Sequence, residues 1–275
     1  VNGEPAVITQ APDGTTGVVM YSAADGTIVH SQSPQCVESG SSIHAYDRLE
    51  AMPDGGYLWL GGSSGGCAQR WSPGAEAPDW TVTLPNDPMV GRDVFTDRPV
   101  LVSDDVAVAI TNRGVVELSL ADGSSRSVTH TQDVRELTPV ALVGHTVVLT
   151  EKYTRGSGRW QLTGLDLTDP SGATGWQAAL EGEPGDDGFI TGEEWLVGPT
   201  LGGIGVVEFD VDANTIRTRV VDPATGTSGV PATLVNDDLT FTEYVGWRGA
   251  YAILGFDDHV IALDPATAAV AHSAP

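Results

Sequence analysis

The chain has 275 residues, of which 13 are basic and 37 acidic, giving a formal net charge of −24. Such a surface repels phosphate backbones and anionic lipid heads, which argues against nucleic acid as a partner, and it attracts cations and basic surfaces. No apolar run approaches the length of a membrane span, so this segment is not expected to insert into a membrane, although an anchor outside it is left open.

The composition predicts an all-β protein. The 34 glycines and 17 prolines suit tight turns, and the many valines and threonines suit strands. No segment shows the sustained apolar stripe of an amphipathic helix, whereas short stretches with two-fold alternation are frequent.

A strand that ends in a turn with Asp, Pro or Gly, followed by a second strand, recurs along the chain. In chain order it reads TIVHSQSPQ, AQRWSPGAE, VVELSLADGSS, LTGLDLTDPSG, TRVVDPATG and VIALDPATA. The turns are anchored at Pro34, Pro73, Asp122, Pro170, Pro223 and Pro265, at intervals of 39, 49, 48, 53 and 42 residues. The mean interval of about 46 residues is typical of propeller blades.

This spacing predicts a single β-propeller domain, residues 1–275, with about six four-stranded blades. Seven or eight blades are the alternative. Short antiparallel strands also suit a sandwich, but the long super-period favours radial repetition, because each blade then packs against two neighbours. The expected blades span approximately residues 4–46, 47–90, 91–133, 134–185, 186–236 and 237–275.

The segments VIALDPATA and VVDPATG resemble the strand–turn signature of quinoprotein-like (PQQ-like) propeller repeats, in which a Leu-Asp-x-x-Thr-Gly turn joins the two outer strands. TGLDLTDPSGATGW is similar and adds Trp176, which such repeats often place after the turn. The resemblance implies the propeller fold and no particular activity. It does not imply a quinone cofactor, since the enzymes of that family are much longer and carry a vicinal cysteine pair that is absent here.

The two cysteines, Cys36 and Cys67, lie in turn-like surroundings and have no second Cys or His nearby at metal-ligand spacing. We expect them to form a disulfide, because exposed thiols in loops are reactive, with two free thiols as the alternative. A disulfide would imply an oxidising compartment, so the chain is expected to be secreted or part of an ectodomain.

One segment has the alternating oxygen ligands that begin a calcium loop: Asp210, Asp212 and Asn214. The sixth position of an EF-hand loop is glycine and the twelfth is glutamate, and here they are Thr215 and Val221. An EF-hand is therefore excluded, and a plain hairpin turn is the alternative to a looser calcium site. No other metal or cofactor is predicted.

Seven tryptophans are candidates for packing or for ligand contact. Trp80 and Trp176 follow turns and are expected to wedge between blades. Trp247 is expected at a tip beside Arg248, where the pair could stack a sugar or anchor a protein loop. Packing is the alternative role for Trp247.

No catalytic motif stands out, so the sequence predicts a non-catalytic extracytoplasmic module that binds a protein, peptide or glycan through loops. The first alternative is a glycoside hydrolase or lyase that uses carboxylates at the channel mouth. Its candidate carboxylates are Glu50, Glu117, Glu136, Glu208 and Glu243. The second alternative is a purely structural assembly scaffold.

Overall fold

The structure of the protein is a computed structural model. It describes residues 6–10, 16–21, 24–32, 48–52, 54–61, 67–83, 101–103, 105–111, 114–129, 134–153, 159–169, 174–181, 183–184, 193–235, 243–256 and 259–274. Within these ranges the chain forms 24 strands and no helix, and hence no helix that could cross a membrane.

The first eleven strands form three sheets, each from strands that are consecutive in the chain. Sheet 1 contains β1 (Ala6–Gln10), β2 (Thr16–Tyr21) and β3 (Ile28–Gln32). Sheet 2 contains β4 (Arg48–Ala51), β5 (Tyr57–Gly61), β6 (Cys67–Trp71) and β7 (Trp80–Thr83). Sheet 3 contains β8 (Leu101–Val102), β9 (Val106–Thr111), β10 (Gly114–Ser119) and β11 (Ser125–Thr129).

The remaining strands form three further sheets in the same way. Sheet 4 contains β12 (Val134–Val143), β13 (Thr146–Tyr153), β14 (Trp160–Asp166) and β15 (Thr174–Ala179). Sheet 5 contains β16 (Glu183–Pro184), β17 (Glu193–Thr200), β18 (Gly203–Asp210), β19 (Thr215–Val221) and β20 (Ala232–Val235). Sheet 6 contains β21 (Glu243–Arg248), β22 (Tyr251–Gly255), β23 (Val260–Asp264) and β24 (Ala269–Ala274).

All strand pairs are antiparallel except the short β16–β17 pair, which is parallel. Successive antiparallel strands reverse direction, so the connections β4–β5 and β6–β7 lie at one end of sheet 2. The connections β8–β9 and β10–β11 lie at one end of sheet 3 for the same reason. We call these the turn ends of sheets 2 and 3.

The inner strands are buried on both faces. Along β5, the side chains of Tyr57 and Trp59 point to one face of sheet 2 and those of Leu58 and Leu60 to the other. All four are at most 2% exposed. A sheet covered on both faces needs a neighbour on each side, which is the situation of a propeller blade.

The apolar faces of neighbouring sheets form separate cores. Between sheets 2 and 3 the buried residues are Met52, Leu58, Leu60, Ala68, Ala107, Ala109, Val116 and Leu118. Between sheets 4 and 5 they are Ala141, Val148, Trp160, Leu162, Leu180, Trp195, Ile204, Val206 and Val221. Between sheets 5 and 6 they are Leu196, Val207, Phe209, Ile216, Ala252, Leu254, Ile261 and Leu263.

Trp80, on the last strand of sheet 2, reaches across to sheet 3. Its indole Nε1 donates a hydrogen bond to the carbonyl oxygen of Leu120, at 3.1 Å. Its ring lies over Gly123, where a Cβ would fall 2.6 Å from a ring atom and where φ is +73°. The predicted wedge role of Trp80 is confirmed.

Trp176, on the last strand of sheet 4, makes the same contact with sheet 5. Its indole Nε1 donates to the carbonyl oxygen of Pro223, at 2.8 Å. Its ring lies over Gly226, which has a φ of +70° and no room for a Cβ. Leu120 precedes Gly123 by three residues, as Pro223 precedes Gly226, so the two tryptophans dock on equivalent turns.

The predicted fold class is confirmed: the chain is all-β and is built from successive antiparallel sheets of the propeller type. Five of the six sheets lie inside the expected blade ranges, and sheet 5 begins three residues before its range, at Glu183. The chain divides into two compact units, residues 1–131 with sheets 1–3 and residues 132–275 with sheets 4–6. The prediction of one domain stays a prediction.

Candidate functional site

The first unit contains a cavity of about 670 Å³ at the turn ends of sheets 2 and 3. It is lined by Met52, Asp54, Arg70, Asp105, Val106, Ser119, Leu120 and Ala121. Sheet 2 therefore supplies a guanidinium and a carboxylate, and sheet 3 supplies a second carboxylate, a hydroxyl and apolar groups.

Arg70 is the most deeply buried charge of the cavity, with 6% of the residue exposed. Its guanidinium donates hydrogen bonds to the carboxylate of Asp54 and to the carbonyl oxygen of Trp71. Gly56 makes this position possible, because a Cβ there would collide with the guanidinium and with the same carbonyl. A buried arginine needs such partners, since an unpaired charge in the interior is costly.

A second carboxylate faces the same guanidinium. Asp79 Oδ2 lies 3.9 Å from Arg70 Nη1. Asp79 is held in place twice, because its backbone N–H donates to the carbonyl oxygen of Arg70 at 2.8 Å and its carboxylate accepts a 2.8 Å hydrogen bond from Ser72 Oγ. Two carboxylates therefore compete for one guanidinium.

The hairpin that carries Asp54 is fixed by hydrogen bonds within its turn. Asp54 Oδ1 accepts a 3.0 Å hydrogen bond from the N–H of Gly56. The N–H of Met52 donates to the carbonyl oxygen of Gly56 at 3.0 Å, and Gly55 has a φ of +88°. Because the turn is closed by these hydrogen bonds, it holds the Asp54 carboxylate in a fixed position against the Arg70 guanidinium.

The opposite wall of the cavity belongs to sheet 3. The N–H of Leu120 donates to the carbonyl oxygen of Asp105 at 2.9 Å, while the carbonyl of Leu120 accepts from Trp80. The Asp105 side chain is exposed, and no ion pair involves it within the described residues. Among the described residues, Asp105 is thus a carboxylate on the wall of the cavity that no cation compensates.

Asp122 lies next to the lining residue Ala121, in the β10–β11 turn. The backbone N–H and the hydroxyl of Ser124 donate to its carboxylate at 3.0 and 2.7 Å. These donors lower the pKa of Asp122 below its usual value, because they stabilise the ionised form. The turn beside the cavity therefore stays negatively charged into the acid range.

Tyr57 and Trp71 form the buried layer next to the Arg70 backbone. They are cross-strand partners, and their rings stack with centroids 5.7 Å apart and an interplanar angle of 14°. Burial raises the pKa of the Tyr57 hydroxyl, so it stays neutral over the physiological range. This layer supports β6 and supplies no ionisable group to the cavity.

The arrangement suits recognition of a charged and partly apolar group. Apolar walls can cover a stem, while fixed carboxylates set the orientation of a charged head. In the described part of the chain, no group of three or more His, Cys, Asp or Glu side chains lies close enough to hold a metal ion.

The structure places Trp247 on β21, with its ring over two glycines of sheet 5. A Cβ at Gly198 or Gly205 would collide with this ring, and the Cβ of Gly205 would lie 2.7 Å from it. Trp247 is half-buried, and the exposed Arg248 donates from Nη1 to the carbonyl oxygen of Trp247 at 2.9 Å. The geometry favours the packing alternative for Trp247, and a ligand-binding role for the pair stays a prediction.

The calcium candidates form the β18–β19 hairpin turn. The backbone N–H of Ala213 donates to Asp210 Oδ1 at 2.9 Å, and Asn214 has a φ of +53°, which asparagine tolerates better than most residues. Asp212 is exposed. The turn alternative accounts for Asp210 and Asn214, and a calcium site here stays a prediction.

Other predicted residues are only partly described. Cys67 is buried at the start of β6, while Cys36 lies outside the described residues, so the disulfide stays a prediction. Glu117 accepts a 3.1 Å hydrogen bond from Arg126 Nε, and Glu208 accepts a 3.0 Å hydrogen bond from Arg219 Nη2. The remaining hydrolase candidates are Glu50, which is partly buried, and Glu136 and Glu243, whose side chains lie outside the described residues.

Sequence reasoning did not find the cavity, although two signals were present. Arg70 is the one charged residue of CAQRW, a strand whose five residues are all buried. A buried arginine predicts an acidic partner, and the Asp54-Gly55-Gly56 run offers a carboxylate beside a residue without a side chain. Their pairing depends on the strand register, which the sequence alone does not give.

No protein-family model matches the chain, and no curated protein matches it. Among solved structures, the chain is similar to a dipeptidyl peptidase 4 from Porphyromonas gingivalis, with a TM-score of 0.53 and 12% identity over 99% of this chain and 45% of that one. This likeness supports the propeller fold alone.

Two further solved structures are similar at lower TM-scores. Dihydro-heme d1 dehydrogenase NirN has a TM-score of 0.39 and 14% identity, over 99% of this chain and 63% of that chain. The AfRom2 CNH domain has a TM-score of 0.44 and 10% identity, over 94% of this chain and 80% of that chain. The chain thus spans less than two thirds of NirN and less than half of the peptidase.

Proposed function

We propose that this chain is a non-catalytic extracytoplasmic binding module that holds a peptide segment of a partner protein in the cavity between sheets 2 and 3. The observation that carries the proposal is the cavity itself, about 670 Å³ in volume, with an ion pair fixed in its wall. The extracytoplasmic part of the proposal rests on the predicted disulfide between Cys36 and Cys67.

A peptide suits the cavity better than a glycan. Among the described residues that line the cavity there is no aromatic side chain on which a sugar ring could stack. They combine carboxylates with Met52, Val106 and Leu120, which suits a side chain with an apolar stem and a polar head. A cavity between two rigid sheets is also largely pre-formed, so that little ordering is needed on binding.

The charged groups of the cavity support binding over catalysis. Asp54 is engaged by Arg70, and Asp79 lies near the same guanidinium. Two of the hydrolase candidates, Glu117 and Glu208, are likewise held by arginines, Arg126 and Arg219. Carboxylate oxygens that already accept hydrogen bonds from an arginine are less free to contact the reacting atoms of a substrate, as a catalytic acid or base must.

Binding is tested with two variants that place tryptophan at matching turn positions. Ala121→Trp is designed to place an indole ring in the cavity and obstruct it, whereas Ala224→Trp puts the same bulk on the equivalent exposed turn of sheet 5, away from the lining residues. Peptide and glycan arrays are probed with the wild type and both variants, and each bound ligand is then checked by mass spectrometry for a chemical change.

We expect peptide ligands whose binding falls at least tenfold in Ala121→Trp and is unchanged in Ala224→Trp, with the peptides recovered intact. Converted products would show an enzyme instead. Glycan ligands that depend on the cavity, or ligands unaffected by Ala121→Trp, would overturn the proposed site.

A further inference from the structure

We infer that the cavity between sheets 2 and 3 receives a cationic side chain with an aliphatic stem, as in lysine or arginine. This inference rests on the proposed binding function and names the chemistry of the ligand. It follows from three features of the described residues: the balance of charge, the position of the uncompensated carboxylate and the apolar walls.

The described residues that line the cavity carry a net negative charge. One guanidinium, Arg70, is surrounded by the carboxylates of Asp54 and Asp79, and Asp105 adds a third carboxylate from the opposite wall. An anionic ligand could reach Arg70 only by displacing Asp54 and would still face the remaining carboxylates. A cation meets no such competition, because Arg70 is already paired and points its charge at its own partners.

Asp105 is placed to meet the incoming charge. Within the described residues it takes part in no ion pair, and its backbone is fixed by the hydrogen bond from Leu120. Ser119, a lining residue next to Leu120, adds a hydroxyl that can accept from an ammonium or a guanidinium. Asp122, beside Ala121, keeps the nearby turn negative.

The apolar walls suit an aliphatic stem. Met52 is buried, and Val106 and Leu120 are lining residues on the opposite sheet. Lysine and arginine side chains commonly bury their methylene groups along such surfaces while keeping the charged head in a polar setting. The net charge of −24 also draws basic segments toward the protein from a distance.

The test is an amide NMR titration of the whole chain with four small probes. These are the Nα-acetyl methylamides of lysine, arginine, norleucine and glutamate. Norleucine keeps the stem and lacks the charge, and glutamate reverses the charge. The protein variants are Asp105→Asn, its matched control Asp212→Asn on an exposed turn of sheet 5, and Ala121→Trp.

We expect the lysine and arginine probes to shift the amide signals of Leu120 and Ala121. Their affinity should be at least about fivefold higher than that of norleucine, and it should fall with salt because the interaction is between charges. Asp105→Asn should weaken binding of the lysine probe about two- to fivefold, Asp212→Asn should leave it unchanged, and Ala121→Trp should abolish it.

Equal affinity for lysine and norleucine, preference for glutamate, or no effect of Asp105→Asn would each overturn the inference. The two proposals fail in distinguishable ways. If Ala121→Trp removes peptide binding but the cationic probes do not bind, the cavity is a site with a different ligand chemistry. If peptide binding is also insensitive to Ala121→Trp, the proposed function falls with the inference.

Discussion

The junction between sheets 2 and 3 and the junction between sheets 4 and 5 share one contact and differ in another. In each, a tryptophan of the fourth strand donates its indole N–H to a carbonyl of the next sheet and covers a glycine. The first junction also holds an open cavity with a buried arginine. At the second, Trp160 and Trp195 pack edge to face in the core, with ring centroids 5.3 Å apart.

This difference distinguishes contacts that maintain the fold from contacts that form the candidate site. At both junctions the docking tryptophan satisfies a carbonyl and fills the gap between two sheets. The packing of such a junction does not require Arg70 and its two aspartates, since an apolar side chain could pack in the same place without the cost of desolvating charges. Departures of this kind from a repeated scheme are where function is expected.

The junction between sheets 5 and 6 is a third variant. Ala268 occupies the turn position held elsewhere by Gly123 and Gly226, with a φ of +55°. No tryptophan lies on the described β20, and Trp247 of sheet 6 instead packs toward sheet 5 over Gly205 and beside Pro265. At this junction an alanine replaces the glycine of the turn, and the tryptophan that packs between the two sheets comes from sheet 6 instead of sheet 5.

Removing the docking tryptophans should have the largest effect. We expect Trp80→Ala and Trp176→Ala each to lower the free energy of unfolding by about 3–5 kcal/mol, because each removes a large, partly buried ring that packs against a core and a hydrogen bond between two sheets. Urea unfolding followed by circular dichroism measures this. Trp80→Phe and Trp176→Phe, which keep most of the ring, should cost less. A large loss in only one of the alanine variants would break the equivalence of the two junctions.

Removing the buried cation is expected to come next. Arg70→Met should lower the free energy of unfolding by about 2–4 kcal/mol, less than for a fully buried pair because Asp54 is half exposed. The double variant Arg70→Met with Asp54→Asn should recover part of the loss, since Asp79, which still accepts a hydrogen bond from Ser72, is then the one of the two carboxylates left without its cation. The same unfolding measurement applies, and full stability of the single variant would mean that Arg70 is not needed for the fold.

Exchanging glycine and alanine at the equivalent turn positions of sheets 5 and 6 tests why the two turns differ. Gly226→Ala should destabilise the protein by about 1–3 kcal/mol, because it adds a Cβ beneath Trp176 at a positive φ. Ala268→Gly should be neutral or stabilising by about 1 kcal/mol, since it relieves a positive φ at alanine. Thermal unfolding of both variants checks this, and a destabilising Ala268→Gly would contradict it.

The smallest expected effect is on acid stability. Donors from Ala224 and Thr225 lower the pKa of Asp222 in the folded state. Its stabilising contribution is therefore complete above the unfolded pKa of about 3.9 and is lost as the pH falls through the lower folded value. Unfolding from pH 7 to pH 2 should show less loss in Asp222→Asn than in the wild type, and an identical pH profile would contradict this.

The repeated parts of the molecule were predictable from sequence, because their signals are local. The spacing of the strand–turn units predicted where the sheets lie along the chain. The position of Trp80 and Trp176 after turns predicted that they pack between sheets. The cavity was not predictable, since it joins the hairpin at Asp54, the end of β6 at Arg70 and the turn at Leu120. Trp247 was expected at a tip, and its packing over Gly198 depends on how sheets 5 and 6 meet.

The most direct test of the proposed site is a crystal structure of the chain with Nα-acetyl-lysine methylamide. We expect the ammonium group at Asp105, the methylene stem along Leu120 and Met52, and the Arg70–Asp54 pair intact. A ligand bound elsewhere, or a junction between sheets 2 and 3 packed shut by its own side chains, would show that the site is wrong.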